Sequence, residues 1–431
     1  MNLRTAARTF VLAAFAIIFV SCGSSAPPAS HPVAASTNAD AMGRPASSGR
    51  PPQTGSASRC GPFESAPAGV PYEFTAVPIP AGSDACQDVG TYGEPQPFRL
   101  TNDGPLVAYT ARDIDHEEDL WLGDLRDGPI GIVYVAPKTA GHKADLWWPQ
   151  LAGGQLFWIQ YVHAGADAST AVASWSVMRM DVATHAVTTV AQDNMPAFGG
   201  KKYVERIRWD GKTLALTEAL PNKSWQIQLW DITGKVEATF PVTGTPYDMA
   251  ITSDGVTYTA GTNFAANDAI GQMKTYVWTK ATGSVQVGTG SFDVAADGNL
   301  AVWMNDPDSS ANSSGYAISP RLLAAQAPFT TSTLLSPILS NNGTTGIDAV
   351  AAGSGTAIWM EVEGPPGNTQ QDVLTAWQPG WKAPLQIKTN AMTVDLSVRG
   401  GWVVWFEYDN LTDVGRLRGV PLTILPGWHG G

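Results

Sequence analysis

Past residue 25 the chain carries no long apolar stripe at helical spacing. Its apolar residues come in short runs rich in β-branched and aromatic side chains, cut by clusters of Gly, Asp and Asn. Such runs bounded by turn residues predict strands, so the chain reads as all-β. Seven runs share one form. A glycine turn, often Asp-Gly, leads into an apolar strand centred on a large residue: "DGPLVAYT", "GGQLFWIQ", "DGKTLALT", "DGVTYT", "DGNLAVWM", "GSGTAIWM" and "GGWVVWF". The central residues are Tyr109, Trp158, Leu216, Tyr258, Trp303, Trp359 and Trp405. Their spacings of 49, 58, 42, 45, 56 and 46 average near 49.

A short strand precedes each turn, as in "RIRW", "YDMAIT" and "VDLSV". After each central residue come a polar loop, a strand such as "SWQIQLWD" or "KTYVWTK", a turn, and a further strand such as "KVEATF" or "GSVQVG". Four antiparallel strands repeating at this period predict a β-propeller, because no single unit buries both of its faces. The expected fold is a seven-bladed β-propeller over 97–424, with six or eight blades fitting the spacing less well, followed by a tail at 425–431. The large central residues are expected between adjacent blades. The last repeat ends one strand early, at "RLRGVPLTIL". The extended segment "VPYEFTAVPIP" (70–80) is expected to supply the missing outer strand and close the ring.

The stretches "IRWDGKTLALTEA…SWQIQLWDITG" (207–234), "ITSDGVTYTA…KTYVWTKATG" (251–283) and "VAADGNLAVWMND" (294–306) resemble the TolB-like branch of WD-repeat-type propellers. That resemblance implies the ring fold over roughly the same 97–424.

Composition changes the picture at the N-terminus. Arg4 and Arg8 precede an apolar run from Phe10 to Val20, too short to span a bilayer comfortably, and the run ends in "FVSC". This resembles a bacterial lipoprotein signal (1–21), which implies that Cys22 becomes the lipidated, membrane-anchored N-terminus. An ordinary signal peptide or an uncleaved anchor is the alternative, and each exports the protein. In 23–59, Gly, Ser, Ala and Pro fill 26 of 37 positions. The segment 22–59 is therefore expected to be a disordered tether, with a reach of roughly 35 Å. In an exported protein the remaining cysteines, Cys60 and Cys86, are expected to pair as a disulfide that pins a closing segment, 60–96. Two free thiols are the alternative.

The net charge of −12 argues against nucleic acid as a partner. It leaves carboxylates as the candidate chemistry. "RDIDHEED" (112–119) puts Asp113, Asp115, His116 and Glu117 into the loop after the first central strand. Asp306 lies in the corresponding loop of another repeat, and "EVEG" and "EYDNLTD" make two more of these loops acidic. Asp248, Asp293, Asp348 and Asp395 recur near the starts of first strands, which a propeller places at the mouth of its central channel. These groups can hold a cationic ligand or a hard cation such as Ca²⁺. The plainer role is solvation for the loop residues, and acceptance of backbone N–H groups from the next blade for the channel residues. No dedicated calcium loop, nucleophile elbow, His-Glu-x-x-His or dinucleotide fingerprint occurs, and no other cofactor is called for.

The sequence thus leads to an expectation of a monomeric, lipid-anchored, extracytoplasmic propeller at the cell membrane or outer membrane, binding a protein or glycan of the envelope. The alternative is a carboxylate-dependent glycan hydrolase or lyase with its site at the channel mouth.

Overall fold

The computed structural model describes residues 75–76, 83–91 and 97–430, except 112–117, 129, 139, 167–170, 195–202, 221–223, 262–272, 290–292, 306–320, 336–344, 364–370, 389–391 and 410–413. Within these residues the chain forms seven sheets, antiparallel except for one short outer strand. Blade 1 runs from the strand Pro97–Asp103 to Gly131–Val135, blade 2 from Ala144–Ala152 to Val187–Asn194, and blade 3 from Tyr203–Trp209 to Val236–Val242. Blades 4, 5 and 6 begin at Thr245–Thr252, Val294–Asp297 and Thr345–Gly353, and blade 7 begins at Met392–Arg399. The first strand of each blade touches the first strands of both neighbours, and blade 7 meets blade 1. The ring is closed, and the protein is a seven-bladed β-propeller.

The seven central residues behave as their hydrophobicity requires. Trp158, Trp303, Trp359, Trp405 and Tyr258 are among the largest fully buried side chains, and Tyr109 and Leu216 are buried with them. Each belongs to a cluster that spans two blades. Trp158 packs on Ala108, Leu120 and Tyr134 of blade 1, Trp405 on Ile358 and Met360 of blade 6, and Tyr109 on Val404 and Phe406 of blade 7. The hydrophobic core is thus divided among the inter-blade seams.

The glycine turns join blades as well as strands. Gly153 N–H donates to the Asp103 carboxylate at 2.8 Å, and Gly355 N–H donates to the Asp297 carboxylate at 3.0 Å. Gly401 N–H donates to Ser354 Oγ at 2.8 Å, and Gly104 N–H to the Arg399 carbonyl at 3.2 Å. At Asp103 and Asp297 the Asp of an Asp-Gly turn therefore accepts from the next blade's turn, whereas Asp210 accepts from Lys212 and Thr213 of its own turn. Gly400 adopts φ 60°, and a Cβ there would run into the Gly104 backbone, so that seam requires glycine.

The closing strand differs from the expectation. Of the expected segment 70–80, the described residues Thr75–Ala76 do not lie on blade 7. Ala85–Thr91 does, pairing antiparallel with Val414–Pro421, while Thr75–Ala76 pairs parallel with Leu385–Lys388 on the outer edge of blade 6. The reason is geometric: Val414–Pro421 runs opposite to Ala85–Thr91 along seven residues, and Gln87 adds side-chain hydrogen bonds to the carbonyls of Asp124, Leu125 and Gly128 in blade 1. A segment nearer to blade 1 in sequence reaches both neighbours. The residues beyond blade 7 dock on blade 6: Trp428 Nε1 donates to Thr356 Oγ1 at 3.1 Å, and His429 N–H donates to Gln378 Oε1 at 3.0 Å.

Candidate functional site

The channel is lined by the first strands, and among the described residues six of the seven carry a bulge in the first half or near the middle of the strand. The bulges fall at Arg99–Leu100, Trp148–Pro149, Glu205, Tyr247, Asp348 and Val394. A bulge breaks the alternation of the pleat and re-aims a side chain. The backbone amides near it are recaptured by the second strand. Arg206 N–H donates to Thr217 Oγ1 and Asp248 N–H to Thr259 Oγ1, both at 3.0 Å. Those threonines directly follow the central residues Leu216 and Tyr258.

The re-aimed side chains form one cluster. The Arg99 guanidinium carbon lies 3.6 Å from the centroid of the Trp148 ring, 4.0 Å from Trp147 and 4.5 Å from Phe98. Arg206 lies 4.2 Å from the same Trp148 ring and 5.1 Å from Tyr247, and Arg208 lies 5.4 Å from Trp148. Asp248 accepts from Arg206 at 3.2 Å and from Arg208 at 2.7 Å through the same oxygen, and its other oxygen accepts from Val294 N–H at 3.4 Å. Asp395 accepts from the N–H groups of Leu100 at 2.7 Å and Leu396 at 2.9 Å. Arg99, Trp147, Trp148, Glu205, Arg208, Tyr247, Asp293 and Asp395 are only half-buried, so solvent reaches the cluster.

Burial decides the protonation chemistry. It drives Arg99 well below its usual range, with repulsion from Arg206 adding to the effect. It lowers Arg208, and Asp248 opposes that shift. It raises Asp395 against the hydrogen bonds from Leu100 and Leu396, and it pushes Tyr247 up to about 12, helped by Asp293. Burial also pushes Glu205 up from 4.5 to about 7, and Arg206 only partly opposes this.

A pH dependence follows. Between about 4.5 and 7 the folded protein holds a proton on Glu205 that the unfolded chain has released. Folding stability therefore falls as pH rises through that window and stays lower above it. Glu205→Gln is expected to remove this fall, worth at most about 3 kcal/mol and less to the extent that channel water screens the charge. Melting curves should show the variant more stable than the parent near pH 8 and alike near pH 4.5. Parallel profiles would assign the titration elsewhere.

At the opposite end the Arg399 side chain crosses the channel. Arg399 of blade 7 donates through Nη1 to the Trp209 carbonyl of blade 3 at 2.6 Å and to the Leu151 carbonyl of blade 2 at 3.3 Å. Burial lowers its pKa, while Asp297, Asp210 and Asp103 hold it up. The cluster thus lies on the loop-bearing side of a channel that Arg399 spans below it.

Of the residues singled out in the sequence, Asp248 and Asp395 lie in this cluster, and Asp293 acts on Tyr247 and Arg208 within it. Asp348 occupies a bulge of Thr345–Gly353. Asp113, Asp115, His116, Glu117 and Asp306 lie outside the described residues, as do Cys22 and Cys60. Cys86 sits on the closing strand Ala85–Thr91. Among the described residues no group of three or more His, Cys, Asp and Glu converges as a metal ligand set. The cationic and aromatic half of the site, Arg99, Trp147, Trp148, Arg206 and Arg208, was not foreseen. One signal is present: "RIRW" places Arg206 and Arg208 two apart on one strand face, on either side of the apolar Ile207.

No family model and no curated protein sequence matches the chain. Among solved structures the fold is similar to the β-propeller domain of the Trilobed protease from Pyrococcus furiosus, described as having an open velcro topology, with a TM-score of 0.51 and 11% identity over 75% of this chain and 92% of that one. It is similar also to the acylaminoacyl peptidase of Pyrococcus horikoshii, with a TM-score of 0.52 and 10% identity over 73% of this chain and 49% of that one. BamB from Moraxella catarrhalis matches at a TM-score of 0.37 and 10% identity, over 74% of this chain and 83% of that one. At these identities the likeness is one of fold, and the class it defines is the β-propeller.

Proposed function

We propose that the protein is a lipid-anchored, extracytoplasmic binding module whose channel mouth receives a protein or glycan of the bacterial envelope. The observation that carries the binding reading is the half-buried cluster of Arg99, Trp147, Trp148 and Tyr247, three aromatic rings and a guanidinium that solvent reaches, with the buried Arg206 against them. Concave sites with aromatic walls and a few convergent polar groups are where ligands bind. The envelope location rests on the sequence alone: the basic n-region, the short apolar run ending at Cys22, and the Ala/Ser/Pro/Gly-rich stretch that follows. A Cys60–Cys86 disulfide would tie that stretch to the closing strand and belongs to the same reading.

The second reading, a glycan hydrolase or lyase, draws on Glu205. A carboxyl that titrates near neutrality suits a general acid. Against it, Asp248 is ion-paired twice and Asp395 accepts two backbone N–H groups, so neither is left as a partner carboxylate.

Two measurements test the proposal. Cys22→Ala is expected to move the protein from the membrane to the soluble fraction, and retention at wild-type levels would exclude lipid at Cys22 as the sole anchor. The full chain in detergent is expected to capture an envelope component, and Trp148→Ala to lose it. Turnover of a polysaccharide that Glu205→Gln abolishes would reverse the ranking.

A further inference from the structure

The geometry points to a carboxylate-binding subsite in the channel, with the Arg99 guanidinium as its anchor and Arg206 beside it. This inference rests on the binding reading above and names the ligand chemistry. Its first support is the state of Arg99. Its guanidinium lies against three aromatic rings, yet among the described residues its side chain makes no ion pair and no hydrogen bond. Arg206 and Arg208 differ, being shared by Asp248. The carboxylate nearest in charge to Arg99 is Asp395, whose two oxygens are already taken by the amides of Leu100 and Leu396.

The second support is a vacant donor on Arg206. Its side chain is 6% exposed, and its Nε–H is buried with no acceptor among the described residues. A buried unsatisfied donor is costly and marks a place where an acceptor belongs. Backbone strain supplies the third. Arg99 and Trp148 are in the left-handed region, at φ 57° and 56°, at corresponding bulges of adjacent blades. Non-glycine residues hold that conformation when the surroundings demand it, and such strain concentrates at ligand clamps. Here it brings the two strained residues face to face, 3.6 Å apart.

Charge then selects among oxyanions. The described cluster sets Arg99, Arg206 and Arg208 against Asp248, Asp293 and Asp395, with Glu205 and Tyr247 protonated below neutrality. Three guanidiniums against three carboxylates balance, and among the described residues Arg99 is the guanidinium with no oxygen on it. A carboxylate adds one negative charge to that balanced set and a phosphate dianion adds two, so repulsion from the three aspartates opposes the dianion more. Planar guanidinium donors pair two-to-two with a carboxylate, a geometry that a lysine ammonium lacks. The anion is held either by a sugar acid or by a peptide C-terminus.

The test uses the full chain in detergent, titrated near pH 6 with glucuronate, N-acetyl-dialanine and inorganic phosphate, and read by calorimetry and by indole N–H resonances. Saturable one-to-one binding of a carboxylate is expected, with phosphate weaker. The tighter of the two carboxylates identifies the source. Arg99→Met is expected to weaken it by about tenfold or more, which corresponds to about 1.4 kcal/mol. Arg99→Lys, which keeps the charge and loses the fork, should also weaken it while leaving the melting temperature unchanged. Absence of saturation with both carboxylates, phosphate binding tighter than either, or full affinity in Arg99→Lys would overturn the subsite. Envelope capture that depends on Trp148 but persists under the first of these outcomes would retain the binding module and discard the carboxylate.

Discussion

Trp158→Ala is expected to cost about 3–5 kcal/mol of folding stability. The side chain is 0% exposed and fills the seam between blades 1 and 2, against Ala108, Leu120, Leu122, Leu146 and Met178. Its ring centroid lies 4.9 Å from that of Tyr134, at an interplanar angle of 53°. Truncation removes the transfer energy of the indole and leaves a cavity that the two sheets cannot close, because each is held to its neighbours around the whole ring. A melting temperature lower by roughly 10 °C should follow. Trp158→Phe should recover most of the loss, because the buried indole N–H has no acceptor among the described residues, so its removal forfeits no bond. Val236→Ala serves as the comparison, since Val236 is 47% exposed on an outer strand. If Trp158→Ala and Val236→Ala melt together, the seams do not carry the stability assigned to them.

Asp248→Ala is the second large effect, again about 3–5 kcal/mol. One carboxylate neutralises Arg206 and Arg208, and Arg206 is buried beside it. Without Asp248 two desolvated cations stand against each other and against Arg99, and the hydrogen bond from Val294 N–H that ties blade 4 to blade 5 is gone. The loss measures the stranded charge rather than the worth of the ion pair. Replacing Asp248, Arg206 and Arg208 together by apolar residues of similar volume should therefore recover much of it. Denaturant unfolding of the single and triple variants gives the comparison. A single variant within about 0.5 kcal/mol of the parent, the range of ordinary surface changes, would mean that water or another group already compensates the arginines.

Both predictions bear on how the site arises. Asp248 and Asp395 are legible in the sequence because, with Asp293 and Asp348, they recur near the starts of first strands. Arg99 and Trp148 are residue types that do not recur from blade to blade, and they point into the channel because bulges interrupt the pleat at them. An alternating pattern assigns each strand residue to one face, so a bulge moves a side chain in a way that the pattern does not encode. Blade 5 shows a similar gap. Its outer strands Arg321–Gln326 and Ser332–Leu334 are Ala-rich or very short, and they were not among the strands recognised. Their pairing with Leu300–Asn305 and with each other is supplied by the sheet.

What the sequence determined by itself is periodic and local: the all-β class, the count of seven, the identity of the large residues in the seams, and the Asp-Gly turns. Each follows from strand alternation and turn chemistry within one repeat, which act over a few residues. Tertiary structure decided that Ala85–Thr91 takes the outer place on blade 7, that Asp103 and Asp297 hold the next blade's turn, and that Arg99, Trp148, Arg206 and Asp248 from four blades share one channel. These outcomes depend on which hydrogen-bonding edge is free and on which side chains the closed ring forces together. Those are properties of contacts far apart in the chain, and no single repeat contains them.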